Sequence, residues 1–524
     1  MATQPNILFI MADQLRADYL GCNGHPSIKT PTIDGLAAAG VNFTRAYTQA
    51  PVCGPSRMSF YTGRYAFSHG ATYNNVPLKV SEQTLGDYLR PLGYRVGLVG
   101  KTHMKKDVEG MQRLGVDPES SRGVLLSECG FEPYERDDGL HPDQSVSPDL
   151  AYNNYLRAKG YAGDNPWHEW ANSGEGANGE VLSGWYMRNC HLSARVREEH
   201  SETAYTTDRA ISFIRESSGE PWCLHLSYIK PHWPYIAPAP YHDMYSVEDV
   251  LPVNATEQEK ANLHPVVEAF MGHDESVNFS REEVRQRVIP AYMGLITQLD
   301  DHLARLIAFL KEIGEYDNTV IVLTADHGDY LGDHWLGEKE LFHEASARIP
   351  MIVHDPRPQA DSTRGREDSR LVEAIDLVPT FVELAGGEVP DHILEGRSLR
   401  PLIESGVVEY WREFAISEAD YAWRKARVAL ELAPDQTRAI MITDARWKYV
   451  HYEHFRPQLF DLQQDPCEQQ DLGQDPAYEG QRARLEQALY DWYRVRKMRT
   501  TISNTTVDNM TGKAHARGYL FGLW

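Results

Sequence analysis

Short apolar runs rich in β-branched residues alternate with helical patterns through most of the chain. The runs occupy residues 6–12, 94–100, 222–228, 319–324 and 349–353. Helical patterns lie between them at 32–39 and 290–313, the latter with leucines recurring on one face. Strands that are apolar on both faces are typical of a parallel sheet covered by helices. The sequence therefore predicts an α/β fold with a mostly parallel central sheet flanked by helices.

The pattern changes near residues 400–410. Alternating segments at 412–418, 437–443 and 447–452 precede a helical pattern at 481–497, which predicts a smaller α+β subdomain with an antiparallel sheet. We expect an α/β domain over 1–404 with insertions at about 110–190, the subdomain over 405–498, and a tail over 499–524. Because the tail ends in Tyr-Leu-Phe-Gly-Leu-Trp, we expect it to dock on the body or on a neighbouring subunit.

Composition and charge limit the classes of molecule that the protein is expected to bind. Among 524 residues, Lys and Arg number 52 against 75 Asp and Glu, a formal net charge of −23, which disfavours nucleic acid and anionic membranes. The sequence has no apolar run long enough for a transmembrane helix, and the first apolar run ends at Asp13 without a basic segment before it. The six cysteines form no C-x-x-C pair, as expected for reduced thiols. These features predict a cytoplasmic protein.

Most candidate chemistry follows the apolar runs, where open α/β sheets bind ligands. The residues are Asp13 and Gln14 after the first run, Lys101 and His103 after the second, Lys230 and His232 after the third, and Asp326 and His327 after the fourth. The Asp13 and Asp326 pairs offer oxygen and nitrogen ligands to one divalent cation. Each pair taken singly is more often only a helix cap.

A further motif reads Pro51-Val-Cys53-Gly-Pro-Ser-Arg57. The Gly-Pro turn places a thiol and a guanidinium at one helix entry, where the helix dipole favours negative charge. A buried cysteine near a surface arginine explains the pentapeptide equally well, since short motifs often match by chance. Lys339, taken alone, is typical of a solvated lysine.

Together these residues resemble the formylglycine-dependent sulfatases of the alkaline phosphatase superfamily. The shared elements, in the family's order, are Asp13-Gln14, Cys-x-Pro-Ser-Arg at 53–57, Gly-Lys-x-His at 100–103, Lys-Pro-His at 230–232, Asp-His-Gly at 326–328, Lys339, and Leu-Phe-Asp-Leu-x-x-Asp-Pro-x-Glu at 459–468. The resemblance covers most of the chain. It implies that a maturation enzyme oxidises Cys53 to formylglycine, whose hydrated aldehyde attacks the sulfur of a sulfate ester and later expels sulfate.

The resemblance also implies a role for each matched residue. Asp13, Gln14, Asp326, His327 and residue 53 would hold one divalent metal ion. Arg57 and Lys101 would orient the hydrate, and His103 would be the base for its breakdown. His232 would protonate the leaving alcohol, Lys339 would bind the sulfate group, and Asn74 would contact the substrate.

Departures from the family pattern bear on the metal and the substrate. Many sulfatases have a carboxylate in place of Gln14 and an asparagine in place of His327, and these departures weaken the usual calcium assignment and leave manganese plausible. The same variants, with Asn74, are similar to choline sulfatases and bacterial phosphonate monoester hydrolases. The latter lack the Lys101-x-His103 element. We therefore expect aryl or small alkyl sulfate monoesters as substrates, with phosphonate monoesters and phosphodiesters as the alternative. We also expect the protein to be a homo-oligomer, either a dimer or a tetramer.

Other interpretations use fewer of these residues. A metal-independent hydrolase could use Cys53 as a thiolate activated by His103 or His232, but it leaves Asp13 and Asp326 without a role. A structural divalent site in a binding protein needs neither Arg57 nor the Lys-x-His elements. The aromatic residues Trp167, Trp170, Trp185, Tyr186 and Trp233 could contact an aryl, sugar or quaternary ammonium group. Ordinary packing of large side chains explains such residues more often.

Overall fold

The computed structural model describes residues 4–139, 149–513, 515–518, 520 and 522. Its strands are β1 Asn6–Ala12, β2 Val41–Phe43, β3 Ala46–Tyr47, β4 Arg95–Gly100, β5 Glu132–Arg136, β6 Ser173–Glu175, β7 Val181–Ser183, β8 Trp222–Tyr228, β9 Thr319–Ala325, β10 Arg348–Ile349, β11 Met351–His354, β12 Arg366–Asp368, β13 Val372–Glu373, β14 Ala415–Asp420, β15 Arg438–Thr443, β16 Trp447–Tyr452 and β17 Gln458–Asp461. Its α-helices are α1 Pro31–Ala39, α2 Cys53–Thr62, α3 Ala66–His69, α4 Leu85–Leu89, α5 Val108–Arg113, α6 Ser121–Ser127, α7 Ala151–Ala158, α8 Glu202–Glu216, α9 Pro265–Met271, α10 Asp274–Phe279, α11 Glu282–Glu312, α12 Glu344–Ala347, α13 Leu377–Leu384, α14 Arg400–Glu404, α15 Lys425–Ala429, α16 Glu479–Arg494 and α17 Asn504–Met510.

The central sheet has eight strands in the order β12-β2-β11-β9-β1-β8-β4-β5. β1 lies between β8 and β9 and is parallel to both, and β4 is parallel to β8. Only β11, antiparallel to β9 and β2, breaks the parallel arrangement on that side of the sheet. Every residue of β1, β8 and β9 is buried, which explains why these strands are mostly apolar on both faces. The predicted α/β fold with a mostly parallel sheet is confirmed.

The helical predictions match in position but differ at the ends. The pattern at 290–313 belongs to α11, which begins at Glu282 and carries Pro290 in its interior, so that proline does not mark a helix start. Its leucines pack in the main hydrophobic core, as Leu299 and Leu303 illustrate. This long helix lies against α8 and α1, and it covers one face of the sheet.

A second sheet of four antiparallel strands follows in the order β14-β15-β16-β17. α16 packs on it through Leu485 and Leu489, which lie in one cluster with Ile442 and Tyr449. The predicted C-terminal antiparallel sheet with a covering helix is thus confirmed, whereas the boundaries at 404 and 498 stay predictions.

The insertions and the tail are described only in part. The segment predicted as insertions contains α6, α7 and the hairpin β6–β7, but also β5, the edge strand of the central sheet, so part of it is sheet rather than insertion. Its residues 140–148 lie outside the described range. In the tail, Tyr519, Phe521 and residues 523–524 also lie outside it, so the docking of the tail stays a prediction. Among the helices of the described residues, none combines the length and apolar content needed to cross a bilayer.

Candidate active site

Four buried side chains converge at the carboxyl end of the central sheet. Asp13 follows β1, Asp326 and His327 follow β9, and Cys53 is the first residue of α2. Their ligand atoms all lie within 4.8 Å of one another. Because β1 and β9 are parallel neighbours with Ala12 opposite Ala325, the residues that follow them meet at one edge. We call these four residues the site cluster.

Cys53 is held at the bottom of this cluster by the start of α2. Its Sγ lies 3.1 Å from Nε2 of His327 and 3.7 Å from Oδ1 of Asp13. The backbone N–H of Gly54 donates to Oδ1 of Asn74 over 2.7 Å, and a Cβ at Gly54 would lie 2.8 Å from that oxygen. Glycine is therefore required beside Cys53, and Asn74 anchors the start of α2.

Arg57 connects the strand ends around the cluster. The fully buried guanidinium donates to Oδ2 of Asp326 over 2.9 Å and lies 3.3 Å from Oδ2 of Asp13. Its Nη1 donates to the carbonyl of Lys101 and to Oγ of Ser227, over 2.8 and 2.7 Å. Arg57 thus touches residues after β1, β4 and β9 as well as β8 itself. Ser227 escaped the sequence analysis because a serine within a strand carries no signal.

Lysines approach the cluster from two directions. Nζ of Lys101 lies 2.5 Å from Oδ2 of Asp13, and Gly100 turns the chain there with a φ of 106°. Nζ of Lys339 donates to Oε1 of Gln14 over 3.1 Å and lies 3.3 Å from Nε2 of His232. Both lysines are buried, so the sequence interpretation of Lys339 as a solvated side chain does not hold.

Gln14 has a position that only an amide satisfies. Its Nε2 donates to Oδ2 of Asp329 over 2.6 Å, while its Oε1 accepts from Lys339. A carboxylate at position 14 would face the Asp329 carboxylate, and the two like charges would repel each other. Asp329 also accepts from Tyr235 over 2.6 Å. Of these partners, Asp329 is signalled by the sequence Asp-His-Gly-Asp, whereas Tyr235 is placed by the fold alone.

The pKa values of the acidic groups at the site are shifted in different directions. Burial opposes ionisation of the Cys53 thiol, but Lys339 and Lys101 lower its pKa well below the usual value. Burial also opposes the charge of Asp13, yet neighbouring cations, Lys101 first, lower its pKa. Burial and the adjacent Asp13 instead raise the pKa of Asp326. Two carboxylates are thus packed side by side, and one of them is held at a cost in free energy.

The histidines predicted to move protons both lie at the site. Nδ1 of His232 pairs with the carbonyl of Trp233 over 2.7 Å, which leaves Nε2 facing Lys339. Burial lowers the pKa of His232 to about 3. His103 has a left-handed backbone with a φ of 55°, and its backbone N–H donates to Oδ1 of Asp138 over 3.0 Å. Its buried Nδ1 has no hydrogen-bond partner.

The comparison with known proteins decides the family. The family model described as Sulfatase matches residues 5–387. The chain belongs to the sulfatase family. A second model, described as N-sulphoglucosamine sulphohydrolase, C-terminal, matches residues 332–494. The resemblance to sulfatases of the alkaline phosphatase superfamily is thereby confirmed.

Several relatives of this sulfatase-family chain align along nearly its whole length. It is 32% identical to a multifunctional alkaline phosphatase superfamily protein of Trinickia caryophylli, over 91% of this chain and 92% of the relative. It is 29% identical to an arylsulfatase of Clostridium perfringens, over 89% of each. A solved phosphonate monoester hydrolase from Silicibacter pomeroyi superposes with a TM-score of 0.81 at 30% identity, over 94% of this chain and 96% of that one.

The residues present fit a divalent cation. The site cluster offers two carboxylates, an imidazole and residue 53 in one buried place, a donor set that suits calcium or manganese. The raised pKa of Asp326 also fits a bound cation, since a cation beside both carboxylates would offset their repulsion. The imidazole is already oriented, because Nδ1 of His327 pairs with the carbonyl of Gly328 over 2.8 Å.

The aromatic candidates separate into core and rim. Trp167 is buried, and its Nε1 donates to Glu202 over 2.6 Å, so it serves packing. Trp170 lies under the guanidinium of Arg195, 4.0 Å from its ring centre. Trp233, in contrast, lies 5.9 Å from Nζ of Lys339 and packs edge-on against Trp185. Trp233 is therefore the predicted aromatic that borders the site.

Proposed function

We propose that this sulfatase-family hydrolase cleaves sulfate monoesters, with formylglycine matured from Cys53 as the nucleophile. The observation that carries the proposal is the environment of Cys53. Its Sγ lies among Asp13, Asp326 and His327, and Lys101 and Lys339 lower its pKa. A position that stabilises negative charge on a side chain is suited to an anionic nucleophile and to an anionic substrate.

Asp13, Asp326, His327 and residue 53 would hold one calcium or manganese ion, with the Gln14 amide oxygen as a further donor. When bound, the ion would lower the pKa of the formylglycine hydrate and neutralise charge on the sulfuryl oxygens. Arg57 keeps Asp13 and Asp326 in register from behind, since it bonds to both carboxylates.

Lys101 and Lys339 provide the positive charge that an ester anion requires. The buried Lys339 contacts His232 and Gln14 and makes no ion pair with a carboxylate among the described residues, so its ammonium is available to a sulfuryl oxygen. Lys101 lies on Asp13 at 2.5 Å and would orient the hydrate. Asn74, bound to Gly54, would contact the substrate from the other side of residue 53.

His232 and His103 would move protons. The Trp233 carbonyl fixes the Nδ1 proton of His232, so Nε2 receives a hydrogen bond from Lys339. When the ester anion binds beside it, Nε2 of His232 would take up a proton from solvent and pass it to the oxygen of the leaving alcohol, while Lys339 keeps its charge for the sulfuryl group. The unpartnered Nδ1 of His103 would accept a hydrate proton when sulfate is expelled. Each of the two histidines thus has one proton transfer to carry out.

A second candidate is phosphonate monoester hydrolysis. The similarity to the phosphonate monoester hydrolase of Silicibacter pomeroyi favours it, because that structure superposes over 94% of this chain. Sulfate and phosphonate monoesters both present a singly charged tetrahedral centre, so one cationic cage serves both. The Lys101-x-His103 element, which phosphonate monoester hydrolases lack, leads us to rank sulfate first.

The test combines peptide mass with kinetics. Protein from the native host is digested with trypsin, and the peptide 46–57 is weighed and treated with a hydrazide probe. We expect the mass of an aldehyde at position 53 and hydrazide labelling. The values of kcat/KM for para-nitrophenyl sulfate and for phenyl phosphonate monoesters then rank the two substrates. An unmodified thiol in active native protein would contradict the proposal and favour a cysteine hydrolase.

A further inference from the structure

We infer that Trp423, stacked on Tyr73, is a binding platform for the aryl group of the substrate. The inference rests on the proposed function and specifies its substrate class as aryl rather than alkyl esters. Trp423 belongs to the segment after β14, far along the chain from every motif of the site. Nothing in the sequence around it signals contact with a substrate.

Tyr73 connects the platform to both sides of the site. It precedes Asn74, whose Oδ1 accepts from the N–H of Gly54 beside Cys53. Its hydroxyl donates over 2.7 Å to Oε1 of Glu340, the residue after Lys339. Tyr73 therefore lies between Asn74, which holds Gly54, and the segment that carries Lys339.

Trp423 covers Tyr73 from the C-terminal sheet. The two rings are stacked with centres 6.3 Å apart and planes at 13°. The next residue, Arg424, places Nε 2.7 Å from Oε2 of Glu340, and thus ties the tryptophan to the same carboxylate as Tyr73. Even so, Trp423 remains 66% exposed. A large aromatic side chain that is fixed on one side and open on the other is typical of a binding surface.

The polar groups beside the platform are engaged with one another. Arg424 pairs with Glu275 as well as Glu340, and its Nη2 lies 3.0 Å from Nδ1 of His273. Glu340 is occupied by Tyr73 and Arg424 together. The platform therefore offers a flat apolar face more than free hydrogen-bonding groups. That surface suits an aromatic ring better than the hydroxyls of a sugar.

The experiment measures KM and product inhibition in Trp423→Ala and Trp423→Phe. Inorganic sulfate, a competitive inhibitor without a ring, probes the central site alone. In W423A we expect KM for para-nitrophenyl sulfate to rise about five- to tenfold, the size of one stacking contact. We expect kcat and the Ki of inorganic sulfate to change less than about twofold, and W423F to keep most of the affinity.

The matched control is Tyr490→Ala, which removes a tyrosine that is 59% exposed on α16, and its KM should equal that of the wild type. An unchanged KM in W423A would overturn the inference, as would parallel rises in KM and Ki, since these would place Trp423 in support of the central site. Wild-type turnover in the same assay tests the proposed function. If the wild type turns over and W423A has the same KM, the platform is rejected and the proposed function stands. If a wild type that carries formylglycine cleaves neither sulfate nor phosphonate esters, the platform and the proposed function are both rejected.

Discussion

Two charge clusters in this molecule have similar residues but a different geometry. One is the site cluster at the end of the central sheet. The other, which we call the junction cluster, joins Lys448 of the C-terminal sheet to Glu344 and Glu468. Nζ of Lys448 lies 2.6 Å from Glu468 and 2.8 Å from both Glu344 and the carbonyl of Phe342. Every hydrogen of that ammonium has an acceptor.

The site cluster is arranged differently. In the junction, Lys448 lies between the carboxylates, and both raise its pKa against the effect of burial. At the site, the ligand atoms of two carboxylates, a thiol and an imidazole lie within 4.8 Å of one another. Burial and a neighbouring carboxylate raise the pKa of Glu468 in the junction, as they raise that of Asp326 at the site. A raised carboxyl pKa therefore does not identify a functional centre, whereas different ligand types that converge on one point do.

The largest expected difference concerns Cys53→Ser. Serine cannot form an aldehyde hydrate, so we expect kcat for sulfate ester hydrolysis to fall at least about a thousandfold. The melting temperature should change by less than about 2 °C, because the substitution replaces one small buried atom. Cys467→Ser, at an exposed cysteine, is the control and should keep full activity. Near-wild-type turnover in C53S would refute the formylglycine nucleophile.

Lys448→Met is expected to produce the opposite result. The change leaves the buried Glu468 carboxylate without its cation, whereas the half-buried Glu344 keeps Arg348 at 3.1 Å, so the free energy of unfolding should fall by about 3–5 kcal/mol. The double variant K448M/E468Q should recover part of this loss, since it removes one uncompensated charge. Denaturant unfolding measures the stability, and the kcat of the folded protein should stay within about twofold. A loss below about 1 kcal/mol would show that the junction cluster is dispensable.

Metal removal should act on the site cluster alone. Chelation is expected to abolish turnover without unfolding the protein, and restoring manganese or calcium at a hundred times its Kd should add about 2.7 kcal/mol of stability. The same increment is expected in K448M, whose cluster does not include the metal donors. Thermal unfolding with and without the ion measures it. Unchanged turnover after chelation would favour a thiol enzyme, and unfolding of a protein without turnover would favour a structural site.

The smallest effect concerns Glu340, which connects the site rim to the C-terminal sheet. Burial raises the pKa of this carboxyl from 4.5 to about 7. A raised pKa favours the folded state below pH 4.5, and this contribution disappears as the pH rises through 7. Between pH 5.5 and 8 the wild type should therefore lose about 2 kcal/mol that Glu340→Gln does not lose. Denaturant unfolding at both pH values measures the difference, and parallel pH profiles would contradict it.

The sequence was most informative where local pattern and burial coincide. The apolar runs of β1, β8 and β9 are buried on both faces, so the pattern of apolar residues along the chain was enough to predict where these strands lie and that they are strands. Helix ends were less predictable, as the start of α11 at Glu282 illustrates. An interior proline resembles a helix start in sequence, and only packing against neighbouring helices shows that the helix continues through it.

The sequence motifs grouped residues that lie together in the structure, although their roles stay predictions, but the motifs did not signal the residues that support them. Asp13, Cys53, Asp326 and His327 come together as expected. Ser227, Tyr235 and Asp138 were missed, because a single polar residue in a strand or loop carries no spacing signal. Their contacts are made across large sequence separations, such as the bond between Tyr235 and Asp329. Such pairings depend on how the strands are ordered in the sheet.

By itself, the sequence determined the α/β architecture, the family, and the set of polar residues placed after the strands, since each is encoded in local pattern or in motifs of fixed order. Tertiary structure alone decided which charges oppose each other and which are balanced. It placed the Gln14 amide between Asp329 and Lys339, and it stacked Trp423 on Tyr73. The physical reason is that electrostatic energy depends on distances and burial, which are set by the packing of segments far apart in the chain.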